Sequence, residues 1–147
     1  MQNFEQLLEL SWAFDQNDPA KALTKAKEMA VAKDINVKFG TQYAPSDNCA
    51  EAGIDLTSPD GSPPVQSKTC QKKAYSFGHR LTVQMVVDKA LKVNTDTLLS
   101  LARLEGSKVV EHVIGRIDLL DGYTNRNGNP ANNISFKQLR ELGFANV

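Results

Sequence analysis

The sequence predicts an α+β fold, a single domain over residues 1–147 with an N-terminal helical hairpin and C-terminal helices packed on a small β-sheet. Three observations carry this expectation. Apolar residues recur at helical spacing at both ends, period-two alternation appears in the runs 35–39 and 74–87, and a Pro/Gly-rich tract from 41 to 69 separates them. A chain of 147 residues with 41% hydrophobic content has enough apolar surface to bury one core.

The elements follow in order. Phe4, Leu7, Leu8, Ser11 and Trp12 share a helical stripe, with Asn3 placed to cap it and an end near Phe14. Asp18 followed by Pro19 signals a second helix start, because proline at the first helical position gives up an N–H that has no partner there anyway. The run PAKALTKAKEMAVAK is rich in good helix formers, and the two helices read as an antiparallel hairpin. After Asp34, Ile35, Val37 and Phe39 alternate with Asn36 and Lys38 up to Gly40, which predicts a short strand. From Thr41 to Thr69 the prolines and glycines predict a long loop, functional or mobile, with Ile54 and Leu56 forming a brief edge strand within it.

KKAYSFGHRLTVQMVV, residues 72–87, admits two readings. Leu81, Val83, Met85 and Val87 alternate as a strand does, while Val83, Val86, Val87, Ala90 and Leu91 also fit a helix; the β-branched density favours a strand from about 74 to 87. In a continuous strand Tyr75, Phe77 and His79 join the aliphatic stripe, and only a bulge at Gly78 turns the aromatics outward. Beyond Asn94, TDTLLSLARLEG reads as a helix ended by Gly106. Val109, Val110, Val113, Ile114, Ile117 and Leu120 predict another, since strand parity would set Glu111 and Gly115 on the core face. YTNRNGNPANN reads as a polar loop, and SFKQLRELGF as a last short helix stopped at Gly143.

Charge narrows the function classes. Lys+Arg and Asp+Glu both number 17, so no global field draws the chain to nucleic acid or anionic lipid. No apolar run approaches the roughly 18 residues of a membrane span, and the N-terminus lacks a basic leader, so the expectation is a cytoplasmic protein with no membrane partner. The asymmetry is local. Lys68, Lys72, Lys73, Arg80, Lys89 and Lys92 face only Asp88 within the segment 68–92. These cations, with Tyr75 and Phe77 as stacking rings, form the candidate nucleic-acid site, single-stranded nucleic acid being the expected partner. The competing account is that lysines at strand ends are solvated and guard an edge.

Other chemistry is weaker. Ala102 and Gly106 stand four apart as in a helix-turn-helix unit, yet residues 95–121 carry three Lys/Arg against five Asp/Glu, a balance that repels phosphate. Cys49 or Cys70 with His79 or His112 is the one thiol–imidazole combination for a small hydrolase, and nothing local supports it. The cysteines lack a nearby second ligand, and Asp121, Asn125 and Asn127 before Gly128 lack the closing glutamate of a calcium loop, so neither metal nor cofactor is expected. The resulting expectation is a small non-enzymatic binding protein engaging nucleic acid through residues 68–92. Its rivals are a homo-oligomeric assembly or adaptor protein and, third, the hydrolase.

Overall fold

The computed structural model describes residues 19–46, 54–105 and 108–147. The helix expected over residues 3–14, and with it the first arm of the hairpin, lies outside these residues, as does Cys49. Pro19–Phe39 forms one helix, α1. The strand expected over 35–39 is its last turn and more, because the helix-forming run before it propagates without a break until Gly40. There the backbone turns left-handed at φ 67° and the Gly40 N–H donates to the Asn36 carbonyl. Helical rotation then buries Ile35 but leaves Val37 80% and Phe39 47% exposed, which strand parity would not do. The Asn36 side chain pins the following turn, its amide donating to the Tyr43 carbonyl and its oxygen accepting from the Tyr43 N–H and the Thr41 hydroxyl.

The tract 41–69 is not one loop. It holds the two-residue strands β1 (Ala44–Pro45) and β2 (Leu56–Thr57) and opens β3 (Val65–Cys70). The brief strand expected at Ile54 and Leu56 is corrected in two respects: it begins at Leu56, and it is not an edge, because β1 pairs with its outer side and β3 with its inner side. β4 (Ala74–Ser76) follows, and Gly78 at φ 94° ends the extended run. The expected strand to Val87 is therefore corrected: Thr82 accepts a hydrogen bond from the Met85 N–H and caps helix α2 (Val83–Val93). The helical set Val83, Val86, Val87 and Ala90 is buried, while Met85 is half exposed. Burying one helical stripe outweighs the modest strand preference of valine.

The two helices expected over 95–121 are instead a pair of antiparallel strands, β5 (Leu98–Glu105) and β6 (Lys108–Arg116), which removes the helix-turn-helix reading. β5 lies between β3 and β6 and is covered on both faces, so its near-continuous apolar run carries no period-two signature. Parity in β6 does set Glu111 and Gly115 beside Val113, and the fold satisfies both. A Cβ on Gly115 would lie 2.7 Å from the Phe144 ring, which fills the vacant position, and Glu111 pairs with Arg103 and Arg140. A short 3-10 turn (Ile117–Leu120), β7 (Asn133–Ser135), α3 (Phe136–Glu141) and β8 (Ala145–Asn146) complete the chain. Ser135 and Gln138 form a reciprocal capping box on α3, the short helix expected there.

The main sheet runs β1-β2-β3-β5-β6-β8, antiparallel except for β3 and β5, and β4 pairs with β7 separately. The parallel pair needs a crossover, which the chain makes through β4 and α2. The fold is thus α+β with a mixed sheet and, among the described residues, three helices. On one face α1 brings Val31, Ala32 and Ile35 against Leu56, Val65, Ala102, Leu104 and Ile114. On the other, α2 and α3 pack over Leu99, Leu101, Val113 and Phe144. No helix among the described residues is long and apolar enough to cross a membrane.

Candidate binding surface at the end of strand β3

The basic segment does not form one stripe. Lys68 sits on β3 opposite Leu101, Lys72 and Lys73 in the exposed turn after it, Arg80 in the bend before α2, and Lys89 and Lys92 on the exposed side of α2. Tyr75 on β4 and Phe77 just beyond it are half-buried, pack edge to face with ring centroids 4.8 Å apart, and lean on the cluster around α2. Burial pushes the Tyr75 phenol up from its ordinary range. The odd-numbered aromatics thus face the core as their parity implied, although the strand itself stops at Ser76.

Two of the expected residues do converge. Lys72 and Tyr75 line a cavity of about 450 Å³ at the C-terminal end of β3, together with Thr69, Cys70, Ser76 and, from α1, Lys27. Lys27 was not foreseen, since one lysine in a lysine-rich helix carries no signal of what it will face. Among the described residues neither Lys27 nor Lys72 forms a salt bridge. Lys68 lies within electrostatic reach of Glu28.

Glu28 is itself unusual. Among the described residues its buried Oε2 has no hydrogen-bond partner, and Lys25, whose Nζ lies 3.8 Å away, donates instead to the Ser46 carbonyl. Burial first, and the charge of Asp55 second, push its carboxyl from 4.5 up to about 7, against the opposing pull of Lys25 and Lys68.

The thiol–imidazole hydrolase finds little here. The Cys70 thiol donates to the Lys72 carbonyl at 3.2 Å, and burial pushes its pKa up, away from the reactive thiolate. Cys70 packs toward the α2 face, whereas His112 sits opposite Ala102 on the α1 face. His79 is exposed. Among the described residues no group of three or more His, Cys, Asp or Glu is placed to hold a metal ion.

A different array was missed altogether. His112 Nδ1 donates to Asp34 Oδ2 of α1 at 2.7 Å, and with that tautomer His112 Nε2 accepts from the Ser100 hydroxyl at 2.6 Å. This has the connectivity of a nucleophile–base–orienter relay. Ser100 is wholly buried, however, and His112 nearly so, which leaves no path for a substrate carbonyl to the hydroxyl. The array acts as a brace between α1 and the hairpin β5–β6. A single serine in LLSLA and a single histidine in VVEHVIG were the available signals, because a polar residue inside an apolar run needs a buried partner.

The chain matches no protein-family model, and a search of curated proteins finds no match to it.

Two outcomes follow from these groups. Asp34→Ala strands the His112 N–H in the interior and lowers unfolding stability by about 1–3 kcal/mol, read from denaturant midpoints. The unfolded chain ionises Glu28 near 4.5 while the fold holds that proton to about 7, so this residue's contribution to stability falls as pH rises through that window. Glu28→Gln therefore gains about 1–3 kcal/mol over the parent near pH 8 and matches it near pH 4, measured by the same unfolding titrations.

Proposed function

We propose that this chain is a small non-enzymatic binding protein that engages single-stranded nucleic acid through the basic segment from Lys68 to Lys92. The observation that carries the reading is the cavity beside β3, where Lys72 meets an aromatic ring, two hydroxyl side chains and a second lysine. Unpaired lysines hold phosphate oxygens, and hydroxyls and an aromatic edge add polar and stacking contacts without sequence preference. The exposed Lys73, Arg80, Lys89 and Lys92 give a strand further phosphate contacts on either side. A cytoplasmic setting goes with this reading, since a reducing compartment keeps Cys70 a thiol.

A second reading, homo-oligomeric assembly, draws on the opposite end of α1. Val37 and Phe39 protrude there, and largely apolar hollows of about 310 and 370 Å³ flank Tyr43. Protruding apolar side chains beside apolar hollows on one protomer suit a self-complementary two-fold contact, and a chain of zero net charge meets no overall repulsion from its copy. The sheet edge at β1 is a poor alternative surface, being two residues long and ending in Pro45.

For the first reading, a labelled oligothymidylate is retained at low salt and released as salt rises. Replacing Lys72, Lys73 and Arg80 together by alanine flattens the log–log slope by about 2. Retention that ignores salt sinks the reading. For the second, light scattering gives a molar mass that rises with concentration, and Val37→Asp with Phe39→Asp returns it to that of the monomer. A parent mass fixed at one chain over the whole range rules assembly out.

A further inference from the structure

We propose that the cavity at the end of β3 takes a single nucleotide unit, its phosphate held between Lys27 of α1 and Lys72 of the β3–β4 turn. This rests on the nucleic-acid reading and deepens it, because it assigns recognition to a residue 41 positions upstream of the basic segment (68 minus 27).

The two lysines approach from different elements and line the same space. Lys27 is half-buried and has no salt-bridge partner among the described residues, and an ammonium so placed loses hydration that a phosphate would restore. Thr69 and Ser76 add hydroxyls to the lining, and Tyr75 adds a ring whose position is fixed from behind by Phe77. The Cys70 thiol is spent on the Lys72 carbonyl, so it holds the turn and not the ligand. At about 450 Å³ the space lies in the range of small-ligand pockets, which run from ~300 to ~1,000 Å³. It is too small for several nucleotides of a strand, so the rest of an oligonucleotide runs over Lys73 and Arg80 outside. The carboxylate nearest Lys27 in sequence, Glu28, holds its proton up to about 7 and so opposes an anion less than an ordinary glutamate does.

The shared chemistry is a phosphate ester bearing a flat base, whose sources are a free mononucleotide and one residue of a single strand. The experiment separates them by competition. The full chain is titrated with labelled oligothymidylate and then with thymidine monophosphate, thymidine or inorganic phosphate as competitor. Parent, Lys27→Ala, Lys27→Arg and Lys73→Ala proteins are compared. Alanine is the better helix former, so Lys27→Ala keeps α1 folded.

The monophosphate is expected to displace the oligonucleotide better than phosphate does, with thymidine inert. Lys27→Ala weakens monophosphate binding about tenfold, Lys27→Arg retains it, and Lys73→Ala changes only the oligonucleotide's affinity. If the oligonucleotide binds with its salt dependence intact but the monophosphate fails to compete, or Lys27→Ala equals the parent, the clamp is overturned and the broader reading stands. If phosphate competes as well as the nucleotide, the assignment of a base to this cavity is overturned. If no oligonucleotide binds at all, the broader reading itself falls.

Discussion

The brace from Asp34 through His112 to Ser100 is the interaction on which the placement of α1 depends. Apolar packing alone lets a helix of alanines and valines slide or rotate on a sheet at modest cost, because Ala26, Ala30, Val31 and Ala32 are small and similar. A buried polar contact is unforgiving, since a shift of one residue strands an N–H and a hydroxyl in the interior. Lys27 precedes Asp34 by seven residues, almost two full turns, and so lies on nearly the same side of the helix about 10 Å along it. Fixing Asp34 against His112 therefore also fixes Lys27 beside the end of β3, and fixes which side of the other end Val37 and Phe39 leave exposed.

Much of the fold was legible where local and tertiary demands agree. Pro19 opening a helix, Gly40 and Gly143 closing elements, Leu56 in a brief strand and the short last helix before Gly143 are all local chemistry. The misreadings fall where burial on two faces or a distant partner decides. Leu98–Glu105 has the composition of a helix because a central strand covered on both sides has no polar face to alternate. Gly115 argued against a strand only until Phe144, 29 residues later, supplied the missing side chain. Val83–Val93 carried both periods, and the tertiary fit of its helical stripe chose between them.

The candidate site was legible to a similar degree and for the same reason. Charge along the chain marked Lys72, and aromatic spacing marked Tyr75, but a cavity is a property of elements meeting in space. Lys68, although in the same cluster of sequence, is drawn into the electrostatics of Glu28, while Lys27 enters from a helix that sequence order keeps far away. Local charge excess and aromatic spacing thus marked two of the residues that line this cavity and carried no signal of Lys27. The buried relay shows the converse, three polar residues with the connectivity of a catalytic unit whose lack of access makes them structural.

Asp34 and His112 are 78 residues apart in the chain, and between them lie all the elements from β1 to β5. The entropy lost in closing a loop grows only with the logarithm of its length, about 0.6 kcal/mol for each doubling. The flexible links between those elements can consequently lengthen at small thermodynamic cost, provided β2, β3, β5 and α2, which pack into the core, stay in place. A fold braced in this way fixes a geometry more strictly than it fixes the length of a loop.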